Sequence, residues 1–247
     1  MKIIISPTKQ MKEDFKSLPA TSKPAFINEA EIIKLEIQKL SYDQAQNLWK
    51  TNDKLTDENF HRFSNMDLTK CLTPAILAYE GIAFKYMAPA VFEDKMLNYV
   101  QNNLYILSAM YGALKPMDGI TSYRLEMQSP LQIGNFNNLY DFWGDKLYNH
   151  IMDESKTIIN LASKEYSKII TKYKQDDDTI IDIIFGELKD DKVVQKGTYA
   201  KMARGEMVRF MAQNNITNVE DIKEFNLLNY TFSDELSTKT KLVFIKK

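Results

Sequence analysis

Cysteine and histidine are nearly absent from this chain of 247 residues, which carries one of the first, Cys71, and two of the second, His61 and His150. A single thiol closes no internal disulfide, so a reducing compartment, the cytoplasm, is expected. Two histidines far apart in sequence, with no nucleophile-elbow motif, give no nucleophile–histidine–acid triad. His150 and Glu154 do stand at an i, i+4 spacing that suits a metal, but no further histidine lies near them, so no metal site and no cofactor is expected. Glycine-rich phosphate loops and dinucleotide fingerprints are missing too, which leaves nucleotide binding of those kinds unsupported. No apolar run approaches the roughly 20 residues of a membrane helix. Ile3, Ile4 and Ile5 behind Lys2 are too short a run for a signal peptide and read as a first buried strand. Linkers rich in Pro, Gly or Ser, repeats and low-complexity tracts are also lacking, and one domain over residues 1–247 is expected. The net charge of -1 speaks against a strongly basic nucleic-acid binder while leaving room for a local basic patch.

What is present centres on residues 104–128, LYILSAMYGALKPMDGITSYRLEMQ. Leu104 to Ala109 form a near-continuous apolar run, the pattern of a strand buried on both faces. Lys115-Pro116-Met117-Asp118-Gly119 then predicts a chain reversal, with Pro fixing φ and Gly free to take φ > 0. Beyond it, Tyr123, Leu125 and Met127 alternate with Arg124 and Glu126, so an extended segment puts both charges on one face, about 7 Å apart at Cα.

Elsewhere, strand and helix patterns alternate, predicting a mixed α/β fold. Residues 28–40 have apolar residues at helical spacing. Ser41 and Gln44 form a capping-box pattern for a helix to about Lys50, and Thr56 or Asp57 is expected to cap the next. Two short helices around Lys54, over residues 41–66, resemble the helix-hairpin-helix of DNA-repair proteins, although the usual hairpin glycines are absent. Leu139, Phe142, Trp143, Leu147 and Ile151 share one stripe of a helix expected to be capped by Asn138, with Asp141 and Asp145 on another face. Thr157 to Leu161 reads as a strand opening into a helix through Ala162-Ser163, a natural anion site. Lys196 to Arg209 is the most basic short run, with Lys201, Arg204 and Arg209 flanking an apolar helical face.

Several blocks carry a resemblance. Residues 107–127, L-S-x-x-Y-G-x-L-x-P-x-D-x-I-x-x-Y-R-L-E-M, resemble the central signature of the YaaA peroxide-stress protein family. Ile5-Ser6-Pro7-Thr8-Lys9, Asp53-Lys54-Leu55, Leu139 to Asp145, Ile159-Asn160-Leu161-Ala162-Ser163 and Lys201 to Gly205 resemble its other blocks, in the family's order. Glu80-Gly81-Ile82-Ala83 departs from the family's pattern there, which usually carries a second glycine. The resemblance implies one compact domain of unusual topology, a positively charged cleft and a part in resistance to hydrogen peroxide. DNA, bound without sequence preference, is the partner expected from it. The candidate anion-binding residues are Lys9, Lys54, Lys115, Arg124, Lys201, Arg204 and Arg209, supported by Asp118, Asp145, Asn160 and Ser163. Glu126 and Asp118 are expected to hold the arginines. The alternative is an enzyme acting on a small anion, with Tyr111, Tyr123 and Glu126 as catalytic candidates.

Overall fold

The computed structural model describes residues 1–14 and 17–247. At its centre lies β1, Lys2–Ile5, whose Lys-Ile-Ile-Ile sequence is buried throughout. Both neighbours run parallel to it: β2, Leu104–Ser108, on one side and β4, Thr157–Leu161, on the other. Ile3 sits opposite Leu104 and Ile159, so apolar side chains stack across three strands on both faces. That continuous burial is why these strands show no polar alternation.

The remaining strands complete one eight-stranded sheet. β3, Gly112–Leu114, pairs antiparallel with β2, and β5, Thr179–Lys189, runs parallel to β4. β6, Lys192–Val194, folds back on β5 as a hairpin, while β7, Tyr230–Thr238, and β8, Lys241–Lys246, form an antiparallel pair whose second strand lies parallel to β5. The resulting order is β7-β8-β5-β4-β1-β2-β3, with β6 beside β5. From β1 the chain crosses toward β2, whereas after β4 it moves off the other way. The loops leaving β1 and β4 therefore diverge, opening a crevice at the carboxyl ends of these strands.

The long excursion between β1 and β2 is helical. Ile27–Gln38, Tyr42–Trp49 and Asp53–Ser64 come first, then the short turns Ala75–Ala78 and Ile82–Met87, then Asp94–Asn103. Ser41 caps its helix with the full capping box, as its sequence predicts. The following helix starts four or five residues earlier than expected. Asn52, not Thr56 or Asp57, accepts from the backbone N–H of Leu55, leaving only Lys50-Thr51-Asn52 between the two helices. The helix expected from residue 139 is also broken, into Leu139–Trp143 and Lys146–Met152, because Gly144 takes φ 52° at the junction. Its apolar stripe nevertheless stays in the core, from Leu139 to Ile151.

Two features shape the cleft end. The Lys115–Gly119 reversal is closed by Asp118, whose carboxylate accepts from the backbone N–H of Lys115 at 2.8 Å and from the Ser22 hydroxyl at 2.7 Å. The long helix Gly197–Gln213 packs on Ile82–Met87 so closely that a Cβ at Gly205 would stand 1.9 Å from the Ala83 carbonyl oxygen. Only glycine permits that approach, and it brings the basic side of the helix against the crevice.

Candidate functional site

A cavity of about 570 Å³ occupies the crevice. Its floor is the end of β1, Ile5 and Ser6, beside the end of β4, Leu161 and Ser163. Ser6 ties the two loops together: its hydroxyl oxygen accepts from the backbone N–H of Ser163 at 2.8 Å, and the two hydroxyls meet at 3.1 Å. One wall is the extended segment Tyr123 to Glu126, and another is Glu80 to Ala83, held near β1 by the lack of a side chain at Gly81, where a Cβ would meet Thr8 at 2.6 Å. Lys201 and Arg204 close it from the Gly197–Gln213 helix.

Four cations from three separate segments thus reach one cavity: Lys9, Arg124, and Lys201 with Arg204 on one helix. The alternation read from the sequence explains Arg124 and Glu126, since Tyr123, Leu125 and Met127 are all buried and turn the two charges into the cleft. Glu126 pairs first with Lys9, Oε2 to Nζ at 2.8 Å, and stands 3.8 Å from Arg124 Nη2. The sequence predicts that Glu126 also holds Arg204, but the ion pairs it forms among the described residues are with Lys9 and Arg124. The Nε atoms of Arg124 and Arg204 are buried and lack a hydrogen-bond partner among the described residues. Burial pulls the Arg204 guanidinium below its ordinary pKa, against the attraction of Asp182. Buried donors without acceptors are costly, and an anion in the cavity satisfies them.

Carboxylates line the same space. Glu165, in the first turn of Lys164–Thr171, is raised above the ordinary range by burial, against a hydrogen bond from the Gln128 N–H, with the negative charge of Glu126 adding to the shift. Glu80 lines the cavity opposite. Beneath them lies a buried hydroxyl chain. Ser108 Oγ accepts from the N–H groups of Met110 and Tyr111, at 3.2 and 2.9 Å, so its proton points to Tyr123 at 2.7 Å, and Tyr123 in turn donates to Tyr79 at 2.8 Å. Burial raises the pKa of the Tyr123 hydroxyl, which is neutral at physiological pH.

Several expected residues lie elsewhere. Lys115 follows β3, which runs back toward the amino ends of the strands, and it shares Glu154 with Lys2 at the opposite end of β1. Asp118 closes its own turn and touches neither arginine. Tyr111 is a core residue bonded to Thr121. Asp145 accepts from Asn149 within its helix, and Lys54 and Arg209 do not line the cavity. Asn160 acts beneath the cleft: its side chain donates to Asp182 and accepts from the Ala162 N–H, fixing the loop that carries Ser163. Sequence reasoning passed over Glu80 and Glu165 because each reads as an ordinary exposed helix or loop acid. The strand ending just before Ala162-Ser163 was the available signal for Glu165.

Comparison with known proteins decides the family to which these separated blocks point. The pattern of the family described as "Peroxide stress protein YaaA" matches residues 1–236. The chain belongs to this family. It is similar to a UPF0246 protein of Agathobacter rectalis, 55% identical over 247 residues and covering 100% of this chain and 99% of the relative. A UPF0246 protein of Lachnoclostridium phytofermentans is 49% identical over 246 residues, covering 100% and 96%, and one of Pediococcus pentosaceus is 48% identical over 246 residues, covering 100% and 98%. In this member of the YaaA family, four of the six blocks read from the sequence, those holding Lys9, Arg124, Ser163 and Lys201 with Arg204, meet at the crevice between β1 and β4. No helix among the described residues is long and apolar enough to cross a membrane.

Proposed function

We propose that this peroxide stress protein acts in the cytoplasm by binding DNA through phosphates held in the cleft, without strong sequence preference. The observation that carries this reading is the convergence of Lys9, Arg124, Lys201 and Arg204, two of them with a buried, unsatisfied Nε among the described residues. Backbone phosphate is a natural acceptor for such arginines, and none of the four is directed by a partner that reads bases. Binding through about four cations predicts a loss of roughly three to four powers of ten in affinity per tenfold rise in salt on duplex DNA. Arg204→Ala should weaken binding to all sequences alike and flatten that slope by about one unit. Lys54→Ala separates the cleft from the Tyr42–Ser64 helical hairpin: an unchanged slope assigns binding to the cleft, and a slope lowered by one adds the hairpin. Absence of duplex and branched-DNA binding at low salt defeats the reading.

A second reading has its own observation. Glu80, Glu126 and Glu165 share the cavity with the cations, which disfavours a uniform polyanion and suits a small organic anion that also offers hydrogen-bond donors. There Tyr123, Glu126 and Glu165 are the groups placed to handle a proton. Turnover of a metabolite lost in folded Glu165→Gln protein puts this reading first.

A further inference from the structure

Two of the four cations of the cleft already face a carboxylate. Lys9 is half-committed to Glu126 at 2.8 Å, and the other oxygen of the same carboxylate faces Arg124 at 3.8 Å. The Glu126 side chain is only 17% exposed, so water screens it poorly. Its backbone is fixed as well: the Glu126 carbonyl accepts from the Ser129 N–H at 3.0 Å and its own N–H donates to the Ser129 hydroxyl at 3.3 Å. A salt bridge made only for stability has no need of a cavity wall, and Lys9 is itself 61% exposed, a setting in which an ion pair contributes little to folding. The carboxylate occupies the place where two of the four cations would meet an anion.

We propose that Glu126 is a built-in competing anion, which the phosphate group of the ligand must displace from Lys9 and Arg124, and which thereby sets both the affinity of the cleft and its preference for phosphate over a small carboxylate. The inference rests on the phosphate-binding reading above. An acetate-sized anion reaches too little of the cavity to displace a carboxylate already paired with Lys9 and 3.8 Å from Arg124. A phosphate gains more, as a diester or a monoester, because its several oxygens also meet Arg204 and Lys201, which line the same cavity and form no ion pair among the described residues. Arg124 Nε, buried and without partner among the described residues, is the donor that Glu126 leaves over for the ligand. Glu165 lines the same cavity and adds negative charge near Glu126, its carboxylate accepting from the Gln128 N–H at 3.4 Å.

The test is calorimetric titration of the full chain with inorganic phosphate at low ionic strength, repeated with acetate as a small carboxylate and with a short single-stranded oligonucleotide. Glu126→Gln keeps the shape and the backbone contacts but removes the charge. Phosphate should then bind roughly tenfold more tightly, from the loss of a competing ion pair and of like-charge repulsion, and the preference over acetate should shrink. Glu126→Ala provides the same loss of charge if the glutamine variant is poorly folded, and urea unfolding of both checks this. Unchanged or weaker phosphate binding in both folded variants overturns the proposal, while loss of phosphate binding in Arg204→Gln still upholds the cleft itself. If Arg204→Gln leaves phosphate binding intact, the anion site lies elsewhere and the underlying reading falls with it. Matching gains for phosphate and oligonucleotide assign the cleft to nucleic-acid phosphates, and a gain for phosphate alone assigns it to a small phosphate ester; both support the role of Glu126.

Discussion

Replacing Gly205 by Ala adds one carbon where the structure has no room for it. The new Cβ would lie 1.9 Å from the carbonyl oxygen of Ala83, 2.7 Å from its carbonyl carbon and 3.0 Å from the Met87 nitrogen. All three are backbone atoms of the facing helical turn, so no rotamer change relieves the clash, and the two helices must part by more than 1 Å, judged against a normal carbon–oxygen contact of about 3.3 Å. Overpacking of this kind costs typically 1–3 kcal/mol and occasionally more. Alanine regains about 1 kcal/mol through its better helix propensity. Because the clash is with backbone the upper end of that cost applies, about 3 kcal/mol, and a net loss of about 2 kcal/mol in unfolding free energy is expected, read from urea denaturation followed by circular dichroism. Gly197→Ala is the control, since it lies at the start of the same helix with nothing within 4 Å of the added carbon, and it should be neutral or slightly stabilising. Because Arg204 and Lys201 ride on the displaced helix, phosphate affinity should fall about tenfold in the Gly205 variant. Equal stability of the two alanine variants would falsify the close-packing argument.

Three further outcomes follow from the same structure. Glu154 is opposed by burial but held at a pKa of about 2 by hydrogen bonds from Lys2 and Lys115, below its value in an unfolded chain. Its contribution is therefore present above about pH 4.5 and lost as pH falls toward 2; with the side chain 33% exposed, screening reduces it to on the order of 1 kcal/mol. Urea midpoints measured from pH 6 down to pH 2.5 should fall less steeply in Glu154→Gln than in the parent chain, and parallel curves contradict the assignment. Tyr123→Phe removes the hydroxyl between Ser108 and Tyr79, leaving buried groups unpaired, and should cost about 1–3 kcal/mol by urea unfolding; a loss below about 0.5 kcal/mol refutes the chain. Trp143→Phe deletes the indole N–H that donates to the Ala109 carbonyl at 2.9 Å and leaves a void in the core, so it should destabilise by a similar amount, with a neutral result ruling out that bond as a support of the Ala109 turn.

Local residue patterns carried much of the fold. Ile3 to Ile5, Leu104 to Ser108 and Thr157 to Leu161 read as buried strands because each is apolar on both faces, and all three lie side by side at the sheet centre. The alternation of Tyr123, Leu125 and Met127 with Arg124 and Glu126 foretold two charges on one face, although the segment joins no sheet. Helix limits were less legible where two polar residues competed for a cap: Asn52 lies nearer the end of the preceding helix than Thr56 does, and the shorter connection prevailed.

The sequence by itself determined which segments are apolar enough to be strands, where the turns fall, and that charged residues stand beside them, because those properties depend on side chains within a few positions of one another. Which charges meet was decided only by the tertiary structure. Lys115 and Arg124 are nine positions apart in one signature, yet β3 runs antiparallel to β2 and returns Lys115 to the amino ends of the strands, where Glu154 takes it. Lys201 and Arg204, far along the chain, reach the cavity instead, because Gly205 lets their helix press against Ala83. Strand direction and the closeness of two backbones are set by contacts between distant segments, and no local spacing encodes them.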